Sequence, residues 1–135
     1  MQLDFPAIAP EVNVDSILIQ IPVPMFKVFF FARKHPSLMM DEFEKYTLET
    51  HTPLVEAIPG LRGYVHNFAR GDGSEGSFSY NNVVELVFDS REAYEKGMTS
   101  PEAETAIADQ ENFLDARAVP LVVDERVVRR PSIRV

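Results

Sequence analysis

Histidine is the side chain best suited to proton transfer near neutral pH, and this sequence holds only three. His51 and His66 lie within one short stretch, ETHTPLVEAIPGLRGYVHN, at 49–67. The third, His35, lies in ARKHPS, a pattern typical of a solvated turn. The spacing of apolar residues places His51 on the inner side of a helix that Pro53 should end or kink near His51. An imidazole there can face a pocket, so we expect His51 to act as a general acid–base.

Both histidines also have a second interpretation. A histidine on the apolar side of a helix is commonly a hydrogen-bonded core residue, and that reading of His51 stays open at the level of the sequence. His66 falls in a predicted strand, and strand parity leaves open whether it faces a ligand pocket or a dimer interface.

Glu85 is the second candidate for catalysis because it is the lone charge in the apolar run VVELVF. A carboxylate in such a run must be paired, protonated or functional. Pairing with a cation on a neighbouring strand is the structural alternative, and Lys27, Arg33 and Arg62 are the candidates for it. The side chains that we expect to contact a ligand are Tyr46, Tyr64, His66, Phe29 and Phe68.

Several kinds of site find no support in the sequence. The chain has no cysteine, which excludes a disulfide, a thiolate nucleophile and an iron–sulfur site built on cysteine. His51, His66 and Glu85 have no close metal-ligand spacing, so we expect neither a metal nor another cofactor. GDGSEG, at 71–76, lies between two predicted strands rather than before a helix, so it does not predict a phosphate-binding loop.

Composition and charge narrow the class of protein. A length of 135 residues fits a single domain, and a net charge of −8 argues against binding nucleic acid through a broad basic face. All 21 acidic residues lie in 1–125 with 9 basic ones, which gives −12, whereas 126–135 carries four arginines and gives +4. No apolar run has the length of a membrane span, and the N-terminus does not resemble a signal peptide. We therefore expect a cytoplasmic protein that binds neither membrane nor nucleic acid.

The order of predicted elements gives the fold class. Aromatic and β-branched runs predict strands, and spacings of three and four residues predict helices. The strands are 25–33, 61–69, 81–89 and 118–128; helices are expected over 38–51, after Ser90 and from TSPE at 99–102. This order predicts an α+β, ferredoxin-like βαββαβ fold with a four-stranded antiparallel sheet.

Both faces of the predicted sheet are apolar, although the helices can cover only one of them. We therefore expect a homodimer in which the sheets of two protomers pack together as a dimeric α+β barrel. The predicted organisation is an extended N-terminal arm over 1–24, a folded domain over 25–128 and a basic tail over 129–135. The glycine-rich segment 70–79 is expected to be a mobile loop.

Three segments together carry a resemblance to a known family. They are FKVFFFARKHPSLMMDEFEKYTLETHTPLVEAIPGLRGYVHN, VVELVFDSREAYEKGMTSPEAETAIADQENFLD and VPLVVDERVV, with the motifs H-x-P-L, PGL, E-L-x-F-D-S and SPE. Over about 25–128 the chain resembles EthD-domain proteins of the dimeric α+β barrel superfamily. The resemblance implies a homodimer, a pocket between each sheet and its helices, and a pocket histidine at His51.

The resemblance leaves three functions to distinguish, because one fold supports many. The leading hypothesis is a cofactor-free lyase, isomerase or cyclase acting on a small oxygenated compound of aromatic, polyketide or lactone-like type. The alternative is a non-catalytic dimeric binding or accessory protein of an oxygenase system. The third is a haem-binding or oxygen-dependent enzyme.

Overall fold

A computed structural model describes residues 25–71 and 79–132 of the chain. The predicted arm over 1–24, most of the predicted loop and the last three residues of the basic tail lie outside the described residues. The basic residues Arg129 and Arg130 are exposed.

The predicted four-stranded antiparallel sheet is confirmed. Its strands are β1 Phe26–Ala32, β2 Gly63–Phe68, β3 Asn82–Phe88 and β4 Val119–Val123, in the order β2-β3-β1-β4 with every neighbouring pair antiparallel. Strand β4 is shorter than the predicted 118–128, because its pairing with β1, its one neighbour, ends where Lys27 lies opposite Val123. The charged residues after Val123 are exposed.

The helices lie on one face of the sheet, and strand parity decides which side chains meet them. On β1, Val28 and Ala32 are buried on the helical face, whereas Lys27, Phe29 and Phe31 alternate onto the opposite face, as the sequence predicts. On β2, the side chains of Tyr64, His66 and Phe68 are directed to the helical face. We call the other side of the sheet the open face.

The first helical segment does not end at His51. It consists of α1 Met40–Tyr46, a π-helical turn Thr47–His51 and α2 Thr52–Glu56, so helical backbone continues past Pro53. A proline inside an α-helix clashes with the carbonyl four residues earlier. Near His51, where the sequence predicts an end or a kink, the helix instead widens into a π turn in which the Thr52 N–H bonds to the Thr47 carbonyl. The helix does not end there.

The second helical segment also begins as predicted. Helices α3 Arg91–Met98 and α4 Pro101–Asp109 start at the serine caps Ser90 and Ser100, and each serine oxygen accepts a backbone N–H at 3.1 Å. A single 3₁₀ turn, Gln110–Asn112, follows α4. None of the helices in the described part of the chain combines the length and apolar character that a membrane span needs.

Two groups of buried side chains pack between the helices and the sheet. The larger joins β1 and β3 to α2 and α4 and includes Val28, Val55, Leu86 and Phe88. The smaller surrounds the fully buried Phe43 and includes Ala32, Phe113 and Leu114. The candidate site lies where these two groups meet.

Candidate functional site

A cavity of about 60 Å³ lies between the helical face of the sheet and the helices. Both core groups contribute apolar side chains to its wall, among them Phe30, Val55, Leu86 and Phe113. The polar residues in the wall are Thr47, His51, Tyr64, His66, Asn82 and Gln110. His51 and His66 therefore line the same cavity. Strand parity left open whether His66 faces a pocket or a dimer interface, and in the structure its side chain lies in the cavity wall.

His51 is held by a carboxylate that the sequence did not single out. Its residue exposure is 8%, and its Nδ1 lies 2.9 Å from Asp109 Oδ2 at the end of α4. The other oxygen of Asp109 accepts hydrogen bonds from the Tyr46 hydroxyl at 2.6 Å and the Asn112 amide at 2.9 Å. The Asp109 carboxylate that contacts His51 is thus also held in place by hydrogen bonds from Tyr46 and Asn112.

Burial and hydrogen bonding together set the charges of this pair. Burial lowers the pKa of His51 and outweighs the opposite effect of Asp109. Burial also acts to raise the pKa of Asp109, but hydrogen bonds from Tyr46, Asn112 and His51 bring it below its ordinary value. Near neutral pH the pair is therefore a neutral imidazole and a carboxylate.

The carboxylate also fixes the tautomer of His51. Asp109 can only accept, so the proton of the neutral ring lies on Nδ1 and the lone pair lies on Nε2. Among the residues that the structure describes, none forms a hydrogen bond with Nε2. His51 thus presents an unoccupied proton acceptor.

His66, in contrast, has a partner at each ring nitrogen. Asn82 Oδ1 accepts the Asn67 N–H at 3.1 Å, so the Asn82 amide donates to His66 Nδ1 at 2.9 Å. The neutral ring then carries its proton on Nε2 and donates it to Thr52 Oγ1 at 3.1 Å, while that hydroxyl donates to the Thr47 carbonyl at 2.8 Å. His66 therefore connects β2 to the π turn and has no free ring nitrogen for a ligand.

Acid should destabilise the fold through His66. Burial, followed by the influence of His51, lowers the pKa of His66 from 6.5 to about 4. Between these values the unfolded chain takes up a proton that the folded protein does not, so the free energy of unfolding should fall as the pH falls. The expected loss is on the order of 2 kcal/mol, measurable by urea denaturation at pH values across this interval.

The variant His66→Gln removes the titrating ring and should flatten that pH dependence, with His51 supplying a residual slope because its pKa is also lowered. A slope equal to that of the wild type would contradict the assignment of a buried, neutral His66.

The remaining predicted ligand contacts on the helical face differ in position. Tyr64 lines the cavity, and burial raises its pKa to about 12. Tyr46 lies behind the cavity wall, where it holds Asp109. Phe68 stacks on His66, with ring centroids 5.5 Å apart, and meets Phe43 edge to face, but it does not belong to the wall.

Glu85 and Phe29 lie on the open face, opposite each other on β3 and β1, and the structure does not bring them to His51. The Glu85 carboxylate lies 3.5 Å from Lys27 Nζ, one of the cations that the sequence offered as its partner. Lys27 is also paired with Glu125. The expectation that Glu85 shares a catalytic site with His51 therefore has no geometric support, because an odd-numbered position on β3 is directed away from the helices.

Asp109 and Gln110 are the site residues that sequence reasoning missed. Asp109 follows Ala103 and Ala106 at intervals of three residues, and both alanines are buried. Such spacing indicates that an acid continues the inner side of α4, which is the signal that could have identified it. In the described ranges, histidines and acids form no group of three or more that could hold a metal ion.

Comparison with known proteins relates the chain to a family. The EthD domain profile matches residues 35–117. Similar solved structures include an ethyl tert-butyl ether D (EthD) family protein from Bacillus halodurans, with 20% identity, a TM-score of 0.62 and coverage of 76% of this chain and 99% of that one. An EthD-like protein from Ralstonia eutropha has 21% identity, a TM-score of 0.58 and coverage of 82% and 98%.

A third structure, a dimeric ferredoxin-like protein of unknown function from Thermobifida fusca, has 20% identity, a TM-score of 0.56 and coverage of 74% and 92%. Comparison with curated proteins gives no match. At these identities the solved structures support the fold alone, whereas the profile covers more than half of the sequence. The chain belongs to the EthD domain family.

Proposed function

We propose that this protein is an acid–base enzyme of the lyase, isomerase or cyclase type, with His51 as the proton-transfer group. The observation that carries the proposal is the 2.9 Å contact between His51 Nδ1 and Asp109 Oδ2 in the wall of the cavity. This arrangement leaves Nε2 free to take a proton from a ligand. Asp109 then stabilises the imidazolium that forms, as a carboxylate does for a catalytic histidine in other enzymes.

The cavity wall favours a small, neutral and largely apolar substrate. Most lining residues are aliphatic or aromatic, and no lysine, arginine, aspartate or glutamate is among the described residues that line it. A charged substituent would lose its hydration there without gaining a counter-ion. An oxygenated aromatic, polyketide-like or lactone-like compound meets these conditions when it is uncharged.

The test is a proton-exchange assay that needs no knowledge of the natural substrate. Cyclohexanone is small, neutral and apolar, and its α-hydrogens exchange for deuterium when a base removes them. Proton NMR in deuterated buffer should show exchange well above the buffer rate when wild-type protein is added. Exchange at the buffer rate would contradict the proposed function.

A non-catalytic binding or accessory protein is the second candidate, and the predominance of apolar residues in the cavity wall favours it. In that case cyclohexanone would bind without accelerated exchange. The third candidate, a haem-binding or oxygen-dependent enzyme, stays a prediction, because no observation on the described residues favours it over the first two.

We also propose that two copies of the chain pair through the open face. Val65, Val119 and Leu121 lie on this face and are 45–50% exposed. Exposed apolar side chains grouped on one face of a sheet often mark an interface. The similar Thermobifida fusca protein is described as dimeric, and its fold is the same.

Leu121→Glu should dissociate this dimer. The substitution places a carboxylate from each protomer in an apolar interface, which should weaken association by about 100-fold or more. Light scattering at micromolar concentration should then report the monomer mass. Leu48→Glu is the matched control, because Leu48 has the same 50% exposure but lies in the π turn rather than on the open face. A wild-type monomer, or an unchanged dimer in Leu121→Glu, would contradict the proposed interface.

A further inference from the structure

Gln110 is a second polar group of the cavity wall whose position is fixed by the backbone around it. It follows Asp109 directly and caps α4. Its backbone carbonyl accepts the Leu114 N–H at 2.8 Å, and its side-chain Oε1 accepts the Ala118 N–H at 3.1 Å. The chain thus holds the amide of Gln110 between the end of α4 and the start of β4.

This anchoring leaves the donor half of the amide unoccupied. A backbone N–H can bond only to the amide oxygen, so the Ala118 contact fixes which end of the side chain is NH₂. No residue in the described ranges accepts a hydrogen bond from that NH₂ group. Gln110 is half-buried and lines the cavity, so its unoccupied donor is available to a ligand.

The other polar groups of the wall are occupied to a greater degree. Thr47 Oγ1 donates to the Phe43 carbonyl at 2.7 Å, and His66 and Asn82 bond to each other. The Tyr64 hydroxyl lies 3.4 Å from Thr52 Oγ1. Since the Thr52 hydrogen goes to the Thr47 carbonyl, this contact uses the hydrogen of Tyr64. In the described part of the wall, His51 Nε2 and the Gln110 NH₂ group are therefore the side-chain polar groups that have no hydrogen-bond partner.

We propose that Gln110 binds the carbonyl oxygen of the substrate while His51 faces the adjacent carbon, so that the substrate class is an enolisable carbonyl compound. This inference rests on the proposed function and extends it to the substrate. A wall with an unpartnered acceptor and an unpartnered donor suits a ligand that presents a removable hydrogen next to an oxygen. A simple apolar ligand would leave both groups unpaired, which is costly in a buried site.

The chemical step is a proton transfer that balances within the site. The carbon–hydrogen bond next to the carbonyl breaks, and the proton moves to His51 Nε2. The electron pair forms the carbon–carbon double bond of the enolate, and negative charge develops on the oxygen that accepts from Gln110. When the substrate has a carbon–carbon double bond conjugated with this enolate, return of the proton to the far end of that double bond gives an isomer and restores the neutral imidazole, with no oxidant or reductant required.

Binding of two ligands of the same shape tests the role of Gln110. Cyclohexanone has the oxygen acceptor, and methylenecyclohexane replaces that oxygen with a CH₂ group. In Gln110→Met, which has no donor, the affinity for cyclohexanone measured by NMR titration should fall by about threefold to tenfold, the value of one hydrogen bond. The affinity for methylenecyclohexane should stay at the wild-type value.

A second variant tests whether the loss of affinity in Gln110→Met comes from a change in the shape of the site, because methionine also loses the bond to the Ala118 N–H. Gln110→Glu keeps an oxygen for the Ala118 N–H but loses the donor, so it should also lose affinity for cyclohexanone only. In both variants α-proton exchange should fall by about 10²-fold, because the donor faces charge that develops in the transition state.

The outcomes separate this inference from the proposed function. Wild-type affinity for cyclohexanone in both variants, or an equal loss of affinity for both ligands, would overturn the role of Gln110 even if His51-dependent exchange persists. Wild-type protein that binds cyclohexanone but does not accelerate exchange would overturn the proposed function, and the two-ligand comparison would still decide the role of Gln110. Failure of the wild type to bind cyclohexanone would overturn both.

Discussion

Replacing His51 with alanine should lower the rate of α-proton exchange of cyclohexanone by about 10²- to 10⁴-fold, the usual contribution of a positioned proton-transfer group. The same change removes one hydrogen bond to Asp109 and should lower the free energy of unfolding by about 1–3 kcal/mol. Proton NMR gives the first value and urea denaturation the second. Tyr46 and Asn112 still hold Asp109, so the variant should fold.

Two controls separate acid–base chemistry from a structural role of His51. His51→Gln can still donate to Asp109, so it should recover part of the stability but none of the exchange. His35→Ala removes a histidine of the turn before α1, where its ring contacts Ser37, and should exchange at the wild-type rate. Exchange that recovers together with stability in His51→Gln would show that His51 is a core residue and not a base.

Asp109→Asn should reduce exchange by a similar factor, on the order of 10²- to 10⁴-fold, although it preserves the size of the side chain. An amide can donate to Nδ1, which favours the tautomer with the proton on Nε2 and removes the free acceptor. The variant also loses the negative charge that stabilises the imidazolium. Nitrogen-15 NMR should show the His51 proton moving from Nδ1 to Nε2, a change that loss of stability alone would not cause.

Asp115→Asn is the matched control for this charge change. Asp115 is partly exposed and pairs with Arg33 at 2.8 Å, outside the cavity wall. Its replacement should leave both the exchange rate and the His51 tautomer as in the wild type. Equal losses in the two variants would indicate that net charge, rather than the contact with His51, determines the rate.

Much of the architecture could be predicted from the sequence because the alternation of residues along a strand shows which side chains share a face. Alternation along β1 placed Val28 on one face and Phe29 on the other, and serine followed by a helical pattern located the starts of α3 and α4. These signals are local, since each depends on residues within one element. The order of these elements along the chain then gave the ferredoxin-like fold class.

The site was less predictable because its key contacts join distant parts of the chain. His51 and Asp109 are 58 residues apart, and only the packing of the helices on the sheet brings them together. At the place where a helix end or a kink was expected, the chain forms a π turn and continues into α2, whose Val55 is buried in the core. Glu85 looked functional because its run is apolar, but the charge of Lys27 on the next strand accounts for it.

The most direct test of the acid–base proposal is a long-range proton–nitrogen-15 correlation spectrum of the wild-type protein during titration with cyclohexanone near neutral pH. The proposal predicts a neutral His51 ring with the proton on Nδ1 and an Nε2 signal that shifts as ligand is added, while the His66 nitrogens keep their partners and their tautomer. A proton on His51 Nε2, or a ligand that shifts His66 and leaves His51 unchanged, would contradict it.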